Sequence, residues 1–265
     1  MGEKASEGVL RILAIGNSFS EDSVEQNLWE LFDSVGTKVI IGNLYIGGCT
    51  LKRHCGNSVS GEKAYAYRKV VDGVMTNHPG WSLLQGIKDE EWDVVTVQQA
   101  SGVSGLYESY KPYLHDLIEY VNKNVRKPVK ICFHETWAYS TTSKHEEYPN
   151  YQCNQMAMYN AIVDAVQHAV QDNPEIVGVI PSGTAIQNGR TASKLGDSFN
   201  RDGFHLEKTF GRFTAAATWF EALSGLSVMQ NPWHPETITS EIASICKTAA
   251  HAACSHPYEV TKLSE

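Results

Sequence analysis

Four short segments of this chain hold the residue types that acyl-transfer chemistry needs. The first, Gly16-Asn17-Ser18-Phe19-Ser20, runs from an apolar stretch straight into an amphipathic one. A serine on such a turn sits where free backbone N–H groups at a helix start face a developing negative charge. Serine is also a frequent helix cap, which is the competing account of Ser18. Ser20, immediately before Glu21, is the better-placed cap, and that leaves Ser18 without a structural duty. The last segment is Asn200-Arg201-Asp202-Gly203-Phe204-His205-Leu206. An Asp and a His three residues apart on one turn let the carboxylate reach the imidazole Nδ1–H. That fixes the tautomer and leaves Nε2 as a base towards a serine. With ten histidines in the chain, an Asp-x-x-His pair also arises as plain loop polarity.

Two further segments are weaker taken alone. In Ile46-Gly47-Gly48-Cys49-Thr50 the paired glycines permit a tight turn and close backbone approach to a ligand. In Gln98-Gln99-Ala100-Ser101-Gly102 the side-chain amides are suited to donate to an oxyanion. An ordinary turn and a polar loop would read the same way. Trp137, Tyr139, Tyr148 and Tyr151 form an aromatic tract whose flat faces suit sugar rings, though aromatics more often pack in cores. His54 and His134 are weighed first as satisfied polar residues and second as ligand contacts. The six cysteines include no C-x-x-C and no histidine cluster at zinc spacing. Cys246 and Cys254, eight residues apart on one helix, stand about 12 Å apart, too far for a disulfide. Cys49 reaches Cys55 only if the loop between them doubles back.

The elements that must position these segments follow from the apolar pattern. Short apolar runs at Val9–Ile15, Lys38–Ile46, Asp93–Val97, Val129–Phe133 and Ile176–Ile180 predict five buried strands. Amphipathic stretches at Glu21–Val35, Tyr110–Val125, Asn154–Val170, Thr209–Leu223 and Pro235–Ala253 predict helices. That alternation predicts a three-layer α/β/α sandwich with a five-stranded parallel sheet. Ala64–Met75 breaks the rhythm, alternating around the turn dipeptide Asp72-Gly73, and predicts a small antiparallel excursion. In a wound parallel sheet the ligand site lies beyond the carboxyl ends of the strands, where three of the four segments fall.

Composition narrows the partners. A hydrophobic content of 42% rules out disorder, and 265 residues without a Pro- or Ser-rich linker predict one domain over 1–265. A net charge of −8 argues against nucleic acid or an anionic membrane as the main partner. No apolar run is long enough to span a bilayer. Met1–Gly8 lacks the basic start and apolar core of a signal peptide. Compartment stays open: periplasmic or secreted if a leader was trimmed, cytoplasmic otherwise.

Together, in order and spacing, the four segments resemble the sequence blocks of the SGNH/GDSL hydrolase superfamily. There a GDS-like block follows strand one, a glycine block strand two and an amide block strand three, and a D-x-x-H block lies near the C-terminus. Here Asn17 stands where Asp is common, and Gln98-Gln99-Ala100-Ser101 where many members carry Gly-x-Asn-Asp. The tracts Ile15–Ser20, Ile46–His54, Trp92–Ser101, Thr136–Tyr139 and Arg201–Leu206 resemble a branch of that superfamily defined only as a domain of unknown function, common in gut Bacteroidetes.

The resemblance implies a flavodoxin-like SGNH fold and a serine esterase that needs no metal or organic cofactor. Ser18 would be the nucleophile, His205 the general base and Asp202 its orienting partner. The oxyanion donors would be the N–H groups of Ser18 and Gly48 and the side chain of Gln98, with Gln99 or Ser101 as substitutes. Gln99, Ser101, His54, Trp137 and Tyr139 are candidate substrate contacts. The implied substrate is a small-molecule or glycan ester, with O-acetyl carbohydrate favoured. A lipase or thioesterase, and a catalytically silent sugar-binding module on the same fold, are the alternatives. The G-x-S-x-G elbow of the α/β-hydrolases is not met, because Ser20 stands at its final glycine position.

Overall fold

The computed structural model describes residues 8–263, so the reading of Met1–Gly8 lies, but for Gly8, outside the described residues. Seven strands form one sheet: β1 (Leu10–Gly16), β2 (Val39–Tyr45), β3 (Tyr65–Val71), β4 (Val74–Trp81), β5 (Val94–Val97), β6 (Lys130–His134) and β7 (Ile176–Ile180). Their order is β4-β3-β2-β1-β5-β6-β7. All five strands read from apolar runs are present, and they are the parallel part of the sheet. β1 lies at its centre, with Ile12, Leu13 and Ala14 fully buried, as continuous apolar strands covered on both faces require.

The expectation of a five-stranded parallel sheet is corrected to a seven-stranded mixed one. The excursion around Asp72-Gly73 is a hairpin, and it docks antiparallel on the outer edge of β2. Both turn residues have positive φ, 51° and 74°, the backbone of the tight turn whose twist matches the two strands. Tyr65, Tyr67 and Val70 on β3 are buried, so this arm shares the core and covers a strand edge that would otherwise expose unpaired N–H and C=O groups. β4 is left as the exposed edge.

Nine helices complete the described residues: α1 (Ser18–Val24), α2 (Leu28–Asp33), α3 (Leu51–Ser60), α4 (Leu83–Asp89), α5 (Tyr113–Asn124), α6 (Gln155–Asp172), α7 (Ser182–Arg190), α8 (Phe210–Ser224) and α9 (Ser240–Ser255). α1, α2, α7, α8 and α9 pack among themselves, and α3, α4 and α5 form a second group. The single helix expected over Glu21–Val35 is two, broken at Asn27, whose φ of 68° an asparagine tolerates better than most residues. The cap of α1 is Asn17 and not Ser20, since Asn17 Oδ1 accepts the Phe19 N–H at 2.9 Å. Ser20 lies inside the first turn and donates its hydroxyl to the Asn17 carbonyl.

Candidate active site

The site is assembled where β1, β2 and β5 end, and Asn17 joins all three. Its Oδ1 accepts the Phe19 N–H and the Gln98 amide Nε2 at 2.9 Å each, while its Nδ2 donates to the Cys49 carbonyl at 3.0 Å. A carboxylate has no donor for that last bond, which gives a physical reason for Asn at this position. Asn17 thereby sets the Gly47-Gly48 turn beside Ser18. Gly48 has a φ of +61°, a conformation that glycine adopts without strain. Ser18 is the first helical residue of α1, half-buried.

The Asp202–His205 pair forms as the spacing requires. His205 Nδ1 lies 2.7 Å from Asp202 Oδ2, and Asp202 Oδ1 accepts the N–H groups of His205 at 2.8 Å and Phe204 at 3.2 Å. Partial burial works against the charged carboxylate, but these hydrogen bonds prevail and hold Asp202 below its ordinary pKa. The loop is anchored from below by Asp22 of α1, which is fully buried. Asp22 Oδ2 accepts the Leu206 N–H at 2.8 Å, and Oδ1 accepts Arg212 Nε at 2.8 Å and Arg201 Nη1 at 3.1 Å. The residue after His205 is thus tied to the helix that begins with Ser18.

Ser18 and His205 border one cavity of about 260 Å³, with Gly48 and Ser101 on its wall. Tyr45, His145, Glu147 and Phe204 border it as well. Among the described residues no hydrogen bond joins Ser18 to His205. The ring of Phe19, next to Ser18, lies 6.2 Å from the His205 ring, centroid to centroid. Catalytic hydrogen bonds often tighten only in the substrate complex.

The other sequence-derived candidates do not border the cavity. Gln98 is buried beneath the site, donating to Asn17 Oδ1 and accepting from His134 Nδ1 at 2.9 Å, so its amide is committed elsewhere. Gln99 Oε1 accepts the Leu51 N–H at 3.0 Å, and its Nε2 donates to Ser109. Trp137 is buried, stacked on Phe19 at 4.1 Å, and donates Nε1 to the Phe204 carbonyl. Tyr139 is buried with its hydroxyl 2.9 Å from Ser101 Oγ. His54 is buried against Tyr65, with Nδ1 2.9 Å from the phenol oxygen. Burial, assisted by the Arg53 charge, pushes His54 down to about 3, and burial alone does the same for His134. Burial keeps both rings neutral. His134 has hydrogen-bond partners at both ring nitrogens, whereas His54 Nε2 has none among the described residues. The aromatic tract supports the site from behind, because its large rings find more stabilisation in the core than on the rim.

All six thiols are free. Burial pushes Cys49 and Cys246 up to about 12, far from the thiolate a nucleophile needs. Among the described residues no three His, Cys, Asp or Glu side chains are grouped to hold a metal ion, and no helix is long and apolar enough to cross a membrane. Sequence reasoning missed Asp22, Arg212, His145 and Glu147. Asp22 and Arg212 stand 190 residues apart, with no local signal that links them.

A comparison with curated proteins found no match. The chain is similar to a crystal structure of a DUF4886 family protein from Bacteroides uniformis, at 48% identity over 97% of this chain and 98% of that one, with a TM-score of 0.94. It is similar in fold to an SGNH hydrolase candidate from Slackia heliotrinireducens, at 17% identity, 82% and 100% coverage and a TM-score of 0.55. It is likewise similar to the acetyl xylan esterase AlAXEase, at 14% identity, 81% and 100% coverage and a TM-score of 0.52. The mixed α/β fold is therefore like that of the SGNH hydrolases. The model of the domain of unknown function DUF4886 matches residues 11–253, nearly the whole length. The chain belongs to the DUF4886 family.

Proposed function

We propose that this chain is a serine esterase that removes short acyl groups, O-acetyl above all, from carbohydrate. The observation that carries the reading is the single cavity shared by Ser18 and the Asp202-oriented His205. Ser18 Oγ attacks the ester carbonyl while His205 Nε2 takes its proton. The Asp202 carboxylate holds the Nδ1–H and stabilises the imidazolium that results. The carbonyl oxygen becomes an oxyanion, received by the N–H groups of Ser18 and Gly48. The tetrahedral intermediate collapses, His205 protonates the departing alkoxide, and the acyl group stays on Ser18. Water, deprotonated by the same histidine, then releases the carboxylic acid and restores the serine.

Two features support the substrate. The small cavity suits an acetyl group better than a long acyl chain, and its wall of Tyr45, His145 and Glu147 suits a hydroxylated alcohol. The fold's likeness to an acetyl xylan esterase points the same way. The test is labelling by an alkyl fluorophosphonate together with hydrolysis of aryl acetates. Wild type should label and turn over, acetate should be preferred to octanoate, and Ser18→Ala should lose both labelling and at least about 1000-fold in kcat/KM. Undiminished turnover in Ser18→Ala would overturn the reading.

A further inference from the structure

Glu147 and His145 belong to none of the four segments, yet both border the cavity of Ser18 and His205. They lie between β6 and α6, on a stretch clamped to the third segment. The Gly102 carbonyl accepts hydrogen bonds from Tyr151 Oη at 3.0 Å and Asn150 Nδ2 at 3.3 Å. A Cβ at Gly102 would meet Glu147 Oε2 at 1.8 Å and Cδ at 2.4 Å, so glycine is what lets the carboxylate lie against this backbone. The Glu147 N–H donates to His145 Nδ1 at 3.2 Å, whereas its carboxylate is engaged by no hydrogen bond or ion pair among the described residues. That backbone bond makes Nδ1 an acceptor, so a neutral His145 carries its proton on Nε2 as a donor. Tyr139 and Phe204 hold the ring, with centroids at 4.8 and 4.7 Å. An unengaged carboxylate and a held imidazole donor therefore line the cavity that Ser18 and His205 border.

We propose that Glu147, with His145, reads the alcohol half of the substrate and selects an uncharged, polyhydroxylated one. The Glu147 carboxylate accepts hydrogen bonds from adjacent hydroxyls, His145 Nε2–H donates to a third oxygen, and the negative charge repels uronates and phosphorylated alcohols. This rests on the esterase reading above. The test compares kcat/KM for a mono-O-acetylated methyl glucopyranoside with that for the matching methyl glucuronopyranoside. Wild type should favour the neutral ester, Glu147→Gln should narrow that preference by about tenfold, and Glu147→Asp should keep most of it. A merely structural role for Glu147 would lower both rates and leave their ratio unchanged. An unchanged ratio in Glu147→Gln, or equal rates in wild type, overturns the proposal. Calorimetric binding of the same two glycosides to Ser18→Ala, with and without Glu147→Gln, reads the ratio without turnover. A charge-dependent binding ratio there, with no turnover of either ester by wild type, would keep the subsite and discard the esterase. Turnover with no charge preference would do the reverse.

Discussion

Asn17 makes three hydrogen bonds with one side chain, and each reaches a different segment of the site. Gln98 continues that line inward to His134, whose Nε2 meets Ser182 Oγ at 3.0 Å. Gln98 is thus a positioning residue in a buried polar chain. Its truncation leaves the His134 Nδ1–H unpartnered in the interior, a loss of about 1–3 kcal/mol. Gln98→Ala should lower Tm by several degrees and reduce kcat together with it, as a thermal melt beside an aryl acetate assay will read. A fall of about 100-fold in kcat with Tm unchanged would instead restore the oxyanion role read from the sequence.

At the scale of elements, two buried carboxyl groups hold helices at the carboxyl edge of the sheet. Asp22 binds α1 to the His205 loop and, through Arg212, to α8. Removing one member of a buried ion pair strands the other and costs about 3–5 kcal/mol. Asp22→Ala should show a loss of that size in denaturant unfolding, with activity falling because His205 loses its fixed distance from α1. A loss under about 1 kcal/mol would refute this account. Glu135, just after β6, accepts the Thr184 N–H of α7 at 2.7 Å. Burial outweighs the Thr184 hydrogen bonds and raises its pKa from 4.5 to about 8. Between those values the folded chain keeps a proton that the unfolded chain has released, so this group's contribution to stability falls as pH rises towards 8. Glu135→Gln stays neutral throughout. Melting curves from about pH 5 to about pH 9 should therefore show the variant gaining on wild type as pH rises, and parallel curves would refute the assignment.

For the molecule as a whole, the hairpin does more than close an edge. Arg68 of β3 lies 3.9 Å over the ring of Tyr45 and pairs with Glu25 at 3.0 Å and Glu21 at 2.9 Å. It thereby braces a wall of the cavity against α1 and the turn that follows it. The cysteines report on how closed the fold is. Cys153 is exposed, Cys55 and Cys254 are half-buried, and the other three are buried. Burial pushes Cys254 up to about 12 and also raises Cys55. A thiol-reactive dye should consume one thiol quickly in the native protein, at Cys153, and six after unfolding without reductant. Fewer than six after unfolding would reveal a disulfide that the structure lacks.

Local order along the chain carried the parallel strands, the turn at Asp72-Gly73, and the placing of Ser18, Gly48 and the Asp202–His205 pair. Those features depend on neighbours within a few residues: apolar runs long enough to be buried on both faces, glycine where φ is positive, and an i,i+3 spacing that closes a hydrogen bond. The capping box Ser82–Gln85 that starts α4 is an equally local signal. α7 offered no such signal, since its residues Ser182–Gly189 are buried on every side and show no apolar stripe. Tertiary structure alone decided that the hairpin joins the sheet, that Gln98 turns inward, and that Trp137 and Tyr139 support the cavity from behind. It alone brought Glu147 over Gly102 and Asp22 onto Arg212. The direction a side chain takes at a strand end, and the partner that neutralises a buried charge, are set by residues far off in the chain that reach the same few ångströms only after the layers have packed.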